Sequence, residues 1–239
     1  MLIIVLTLSC FGCQKQPEAV DVLDVYSTSV PENDPAQPVS SGKGLEVIST
    51  AAYIFEQDDA LQLYGAVEYI NNGSSPLYLS GAVFNFTSTG SMSFDFTPIL
   101  AQYNVLEPGE RAYAAAWFPA EGFDPGESPS LQVELSSAHG EPSPVHLAVE
   151  DVFFADNYPG FTTMTGTLVN TGAQSCSLNM VYVGLYDAND VFLGAWYFSQ
   201  NALLDSQDSV RFTTHLKAFP LNKLAETGVH SQCLAFGFN

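Results

Sequence analysis

From Leu45 to the C-terminus, the chain is a series of short apolar runs that alternate with polar residues and end at turn sequences. In RFTTHLK, Phe212, Thr214 and Leu216 fall on one face of an extended strand. The polar residues of the other face are Arg211, Thr213, His215 and Lys217. A period of two is typical of a half-buried antiparallel strand. Turn sequences such as NNGSSP, EPGE and DPGESP separate the runs. The pattern predicts an all-β protein of the sandwich type.

Two segments depart from simple alternation. SLNMVYVGLYD, from Ser177, is apolar on both faces, which predicts a central strand that is covered on both sides. PLNKLAET, from Pro220, is the one place where we expect a short helix.

The strand-rich part of the chain repeats itself. LYGAVEYINNG, from Leu63, can be aligned with MTGTLVNTG, from Met164. Four pairs recur in the same order at separations of 98 to 101 residues: Gly65 with Gly166, Gly73 with Gly172, Leu106 with Leu204, and Arg111 with Arg211. We therefore expect two tandem immunoglobulin-like β-sandwich units, in residues 45–143 and 144–239, with the boundary in the Pro-rich stretch HGEPSPV.

The first residues predict export. Leu2 to Leu8 form an apolar run that is too short to span a bilayer, which takes about 20 residues, but that suits a secretion signal. A small residue precedes both Cys10 and Cys13, which resembles the lipobox of bacterial lipoproteins. The polar sequence QKQP follows Cys13, so we expect a signal in residues 1–13 and lipidation at Cys13, with Cys10 as the alternative.

Residues 14–44 are rich in Pro, Ser and Gly and contain the stretch PENDPAQPVSSGKG. Such a composition buries too little apolar surface to offset its ordering entropy, so we expect a disordered tether. The protein would then be extracytoplasmic and attached to a bacterial membrane only through its lipid anchor.

Charge limits the possible partners. The chain has 26 acidic and six basic residues, for a formal net charge of −20. Such a chain repels phosphate backbones, so we expect no nucleic-acid binding. Residues 45–143 carry thirteen acids and the single base Arg111, whereas residues 144–239 carry eight acids and three bases. The excess on the first unit promotes solubility, and a cation or a basic partner would bind there.

The second unit contains TGTLVNTG, VGLYDANDVFLG and SVRFTTHL. It resembles the FxLYD domain family, and the matching residues are Gly166, Asn170, Leu185, Tyr186 and Asp187. Val183 stands where that family has Phe, and the first unit resembles the family poorly. The resemblance implies an immunoglobulin-like sandwich on a secreted or lipid-anchored prokaryotic protein, and it implies no reaction. In this motif we expect Tyr186 to pack at a strand end and Asp187 to accept backbone donors in a turn with Asn189.

The candidates for chemistry are sparse. No nucleophile elbow, phosphate loop or zinc-protease motif is present, and the four histidines lack ligand spacing. The acidic stretches DANDV and EQDDA are too short to bind calcium alone, so we expect turns there. Trp117 and Trp196 lie in aromatic-rich strands, where core packing is favoured and stacking on a sugar is the alternative. We expect no catalytic residue, no metal and no cofactor.

Two further cysteines, Cys176 and Cys233, lie in the second unit. After export a disulfide between them is permitted, and we expect one, with two reduced buried thiols as the alternative.

These observations together predict a non-catalytic, lipid-anchored binding module of the cell envelope with an unknown envelope partner. The alternatives are a structural spacer or subunit of a larger envelope assembly, and a metal- or glycan-binding protein or an enzyme.

Overall fold

The computed structural model describes residues 44–98, 104–141, 145–158 and 160–238. Apart from one short 3₁₀ turn, the regular elements in these ranges are all β-strands that pair antiparallel with their neighbours, so the all-β prediction is confirmed. The predicted signal, both candidate lipidation cysteines and nearly all of the predicted tether lie outside the described residues.

The first half of the fold is a sandwich of two three-stranded sheets. Its strands are β1 (Leu45–Gln57), β2 (Ala60–Asn71), β3 (Leu77–Thr87), β4 (Ser91–Phe96), β5 (Arg111–Pro119) and β6 (Ser130–His139). One sheet has the order β1-β2-β5 and the other β4-β3-β6. The sheets enclose a core of interlocking aromatic rings, in which Phe84, Phe86, Phe94 and Phe118 contact one another.

The second half repeats this strand order. Its strands are β7 (His146–Tyr158), β8 (Phe161–Asn170), β9 (Cys176–Tyr186), β10 (Phe192–Leu204), β11 (Ser209–His215) and β12 (His230–Phe238). They form one sheet with the order β10-β9-β12-β7-β8-β11. The triplet β10-β9-β12 corresponds to β4-β3-β6, the triplet β7-β8-β11 corresponds to β1-β2-β5, and the two are joined where β12 pairs briefly with β7. The sheet folds back on itself, since the rings of Phe198 and Phe212 lie 4.9 Å apart across the core. The short helix expected after Pro220 is a 3₁₀ turn, Leu224–Thr227.

A buried asparagine at the end of the second strand marks the repeat most clearly. Asn71 and Asn170 are both fully buried, and each side-chain amide donates to two carbonyl oxygens while its oxygen accepts one backbone N–H. In the first unit the partners are Ser75 (2.9 Å), Leu106 (2.8 Å) and Gly73 (2.9 Å). In the second they are Gln174 (2.8 Å), Leu204 (3.0 Å) and Gly172 (2.9 Å). This set of three hydrogen bonds, which we call the asparagine bracket, therefore ties the loop after the second strand to the chain near Leu106 in the first unit and near Leu204 in the second.

This bracket corrects the alignment made from sequence. Leu106 with Leu204, and Gly73 with Gly172, are equivalent positions. The pairs Gly65 with Gly166 and Arg111 with Arg211 are wrong, because each is displaced by two residues. Strand register makes Gly166 equivalent to Val67, and it makes Arg211 equivalent to Tyr113. A shift of two residues keeps a side chain on the same face, so the sequence pattern did not reveal it.

The two units share one continuous interface. The β1-β2-β5 sheet of the first unit packs on the β10-β9-β12 sheet of the second, which produces four stacked sheet layers. Strand β9 is apolar on both faces, as predicted, because one face meets its own core and the other meets the first unit. The close approach needs small residues, and a Cβ added to Gly184 of β9 would overlap the ring of Tyr113 on β5.

The predicted disulfide is wrong, because both thiols are free. Cys233 on β12 lies opposite Val183 of β9, whereas Cys176 is seven residues further along β9. At about 3.3 Å per residue the two Cα atoms are ~23 Å apart, and a disulfide requires less than about 7 Å. Burial raises the pKa of the Cys176 thiol, and it raises the pKa of the Cys233 thiol to about 11.

Candidate functional site

The motif residues Leu185 and Tyr186 end strand β9, with their side chains on opposite faces of the sheet. Leu185 is fully buried in the core. The Tyr186 hydroxyl donates to the Tyr113 hydroxyl of the first unit (3.1 Å), and its ring stacks on His230 at 5.5 Å. Burial raises the pKa of Tyr186, so this hydroxyl stays protonated at neutral pH. Tyr186 therefore helps to hold the two units together.

Asp187 has the turn-forming role expected of it. One of its carboxylate oxygens accepts the backbone N–H groups of Asn189 (2.8 Å) and Val191 (2.9 Å). These hydrogen bonds hold the pKa of Asp187 below its usual value. The side chain of His230 contacts Asp190 of the same turn at 3.0 Å. Within the described ranges, no three His, Cys, Asp or Glu side chains come together as a metal site.

The two tryptophans pack against each other across the unit interface. Their ring centroids are 5.7 Å apart with the planes nearly perpendicular. Trp196 is buried, and the indole N–H of Trp117 donates to the carbonyl oxygen of Ala218 at 2.8 Å. Neither ring forms an open platform for a sugar, and core packing, the favoured interpretation of their sequence, is confirmed.

A narrow cleft remains between the units. Aromatic side chains from both units line it, among them Tyr69, Tyr113, Tyr182 and Tyr197. Asn104 also lines it, and its side-chain amide donates to the Tyr182 hydroxyl. The cavity volume is about 40 Å³, which is room for a few water molecules, whereas small-molecule sites are typically 300 Å³ or more. The cleft is therefore too small for an organic ligand in this structure.

A larger groove lies on the outer face of the β7-β8-β11 sheet, the face turned away from the first unit. Its volume is about 390 Å³. We call it the outer groove and define it by six side chains, Asp151, Phe153, Thr165, Thr167, Arg211 and Thr213, over a floor formed by Gly166 and Phe212. The motif residue Gly166 thus lies beneath the groove, and its missing Cβ leaves room for the ring of Phe212.

A β-bulge in β7 turns Phe153 outward. Leu147 and Val149 point into the core before the bulge, and Val152 and Phe154 point into it afterwards, so the inward positions change from odd to even numbers. The extra residue is Asp151, whose φ of +52° is unusual for a non-glycine residue. As a result the ring of Phe153 is 67% exposed.

In the first unit, the positions equivalent to those of the outer groove are buried, because they pack against the second unit. Strand register and the two asparagine brackets align Tyr64, Ala66 and Glu68 of β2 with Thr163, Thr165 and Thr167 of β8. They also align Tyr113, Ala115 and Trp117 of β5 with Arg211, Thr213 and His215 of β11. The outer groove therefore has hydroxyl and charged side chains where the first unit has, apart from Glu68, aromatic and small residues that pack against the second.

Arg211 is the exposed cation of the outer groove. Arg111 pairs with the buried Glu68 at 3.0 Å and Lys223 pairs with Glu226 at 3.3 Å. Arg211, by contrast, has no carboxylate at ion-pair distance among the residues that the structure describes. Together with Asp151, it gives the groove one positive and one negative charge.

Sequence reasoning placed Arg211 and Thr213 on the solvent face of their strand correctly, but it missed Phe153 and Asp151. A signal was present in LAVEDVFFA, where the apolar alternation changes phase after Val149. A phase change inside a strand indicates a bulge.

Comparison of the sequence with models of known protein families and with curated proteins found no match. In the described part of the chain, no helix has the length and apolar character needed to cross a membrane.

Proposed function

We propose that the protein is a non-catalytic binding module of the cell envelope, attached to the membrane by a lipid on Cys13, and that it binds its ligand in the outer groove. The observation that carries the proposal is the exposed ring of Phe153, which a bulge turns outward into an open groove of about 390 Å³. The same groove contains Arg211, which has no carboxylate at ion-pair distance among the described residues. Exposed aromatic rings and arginines that lack partners are characteristic of binding surfaces.

The architecture supports this role. The groove lies on a rigid sheet rather than on loops, and the shared core fixes that sheet relative to the first unit. A long N-terminal segment, residues 14–44, would let such a body reach out from a membrane.

The binding site is tested by capture. Exported protein, released from membranes with detergent and immobilised, is expected to retain envelope material that Phe153→Ala loses. The control is Leu203→Ala, because Leu203 is equally exposed, at 69%, but lies on β10 outside the groove. Equal capture by wild type and Phe153→Ala would show that the outer groove is not the binding site.

The anchor is tested separately. Cys13→Ser is expected to move the protein from the membrane fraction to the soluble fraction, and Cys10→Ser is expected to leave it in place. The opposite pattern would assign the lipid to Cys10.

A basic partner on the first unit is the second candidate, because thirteen acids against one base give residues 45–143 a net charge of −12. Such binding relies on exposed charges and weakens as salt rises, since the screening length is about 8 Å at physiological ionic strength. Capture that falls steeply with salt and survives Phe153→Ala would favour this site. Co-purification with one stoichiometric envelope protein, independent of both features, would favour a spacer or subunit role.

A further inference from the structure

We infer that the ligand of the outer groove is a neutral glycan, whose sugar ring stacks on Phe153 and whose hydroxyl groups bind the polar side chains across β8 and β11. This inference rests on the proposed binding role of the groove and names the chemistry that the groove recognises.

The first step is the aromatic platform. Phe153 is 67% exposed on the outer face of the sheet, and within the described residues no other ring covers it. The face of an aromatic ring is apolar and carries negative quadrupole charge. It therefore attracts the C–H groups on the apolar face of a sugar ring, while the sugar's hydroxyls point sideways.

The second step is the arrangement of polar groups around that ring. Strand register places Thr165 next to Phe153 and Thr213 beyond it, and it places Thr167 and Arg211 one row further along. From strand spacing and rise, the Cα atoms of Phe153 and Arg211 are ~12 Å apart, so the groove can hold more than one sugar ring. The Thr165 hydroxyl donates to the Phe153 carbonyl oxygen (3.4 Å), so it offers a ligand its acceptor lone pairs. Threonine hydroxyls such as those of Thr167 and Thr213 both donate and accept, and the Arg211 guanidinium donates several hydrogen bonds in a fixed plane.

The third step is charge. The residues that line the groove include one cation, Arg211, and one carboxylate, Asp151, and the exposed Glu150 lies at its edge, opposite Thr167. The groove is therefore close to charge balance, although the whole chain carries a net charge of −20. A neutral ligand with many hydroxyls can satisfy the donors of Arg211 and the acceptor oxygens of Asp151 together. An anionic ligand would meet the carboxylate of Asp151, and a cationic ligand would meet Arg211.

The same face in the first unit shows why another β-sheet is a poorer occupant. There, Tyr113 fits against Gly184 of the neighbouring sheet, and Ala51 is the small residue in the place that Phe153 takes in the second unit. The outer groove has Arg211 in the place of Tyr113, and the Phe153 ring projects from the surface. A stacked sheet would bury that charge without a partner and could not approach closely.

The test is titration calorimetry of the full-length protein with a panel of neutral oligosaccharides. The panel is built from glucose, mannose, galactose, N-acetylglucosamine and N-acetylgalactosamine, with tetragalacturonic acid as the anionic comparison. We expect at least one neutral oligosaccharide to bind. Phe153→Ala should weaken this binding about tenfold or more, and Phe153→Trp should retain it. Arg211→Gln should also weaken it, and Leu203→Ala should leave it unchanged. Thermal melting of each variant checks that the fold is intact.

Failure to bind any neutral member, or binding that Phe153→Ala leaves unchanged, would overturn the inference. Preferential binding of tetragalacturonic acid would contradict the neutral class. Failure of the inference is distinguishable from failure of the proposed function. If Phe153→Ala abolishes envelope capture while no glycan binds, the groove binds another class of ligand and only the glycan assignment is wrong. If envelope capture survives Phe153→Ala, the proposed site itself is wrong.

Discussion

The hydroxyl of Tyr64, in the first unit, satisfies both backbone groups of Ala195, in the second. It donates to the Ala195 carbonyl oxygen at 2.6 Å and accepts the Ala195 N–H at 2.7 Å. Tyr64 is fully buried, and burial raises its pKa well above the ordinary value, so the hydroxyl keeps its proton at neutral pH. One side chain thus replaces water for two backbone groups at the centre of the unit interface.

Tyr64→Phe is expected to lower the free energy of unfolding by about 2 to 4 kcal/mol, because it leaves a buried carbonyl and a buried N–H unpaired. The control is Tyr53→Phe. The Tyr53 hydroxyl donates a single bond to the Leu193 carbonyl oxygen (2.9 Å) in a partly exposed place, so about 1 kcal/mol is expected. Urea unfolding measures both changes. Equal losses of unfolding free energy would show that the two hydrogen bonds of Tyr64 contribute no more than the single hydrogen bond of Tyr53.

The two units are expected to depend on each other. Polypeptides covering residues 44–141 and 145–238 should each bind a hydrophobic dye and melt at a lower temperature than the intact chain. Separation exposes the aromatic faces that pack at the interface, including those of Tyr64 and Trp117. Mixing the two polypeptides should restore part of the lost stability. Two halves that melt as the intact chain does, without dye binding, would contradict a shared core.

The asparagine brackets are expected to be equally important in the two units. Asn71→Ala and Asn170→Ala each leave two carbonyl oxygens and one N–H without their partner, which should cost about 2 to 4 kcal/mol in chemical unfolding. The neighbouring Asn72 is exposed, and its side chain donates to the exposed Glu46 carboxylate at 2.7 Å, so Asn72→Ala should change stability by less than about 0.5 kcal/mol. A large loss in one unit only would show that the brackets are not equivalent.

Gln200→Met is expected to stabilise the protein by about 1 to 2 kcal/mol. Gln200 is 1% exposed, and neither polar atom of its side chain has a hydrogen-bond partner among the described residues. A side chain of similar length without polar atoms removes that desolvation cost. Asn179→Leu should have the opposite effect, because the Asn179 amide donates to the carbonyl oxygens of Gln200 and Ala202. Thermal unfolding of both variants gives the signs. A destabilised Gln200→Met would point to a partner such as a buried water.

Asp187 is expected to make stability depend on pH in the acid range. Backbone N–H donors lower its folded pKa, so its contribution is complete above the unfolded pKa of about 3.9 and is lost as pH falls through the lowered folded value. The advantage of wild type over Asp187→Asn should therefore be present at neutral pH and disappear in that acid range. Urea unfolding at a series of pH values measures it. An advantage that persists unchanged to pH 2 would contradict the role of the charge.

The sequence alone determined the elements that depend on residues close to one another along the chain. Alternation identified the half-buried strand at Phe212 and Thr214, and the continuous apolar run identified β9 as a strand covered on both faces. Asp187 and Asn189 specified their own turn, because the side chain that closes it is two residues from the N–H it accepts. Repeated spacing indicated a duplicated unit of about 100 residues.

Only the tertiary structure decided the features that depend on strand register and on which sheet faces pack against each other. The periodicity of β9 shows that both faces are buried, but not that one of them meets Tyr113 of the other unit. The two cysteines share a sheet, yet register keeps them ~23 Å apart. Phe153 is exposed because a single inserted residue, Asp151, exchanges the two faces of β7. Local sequence sets a strand's period of two, whereas the phase of that period and the partner of each face are set by non-local pairing.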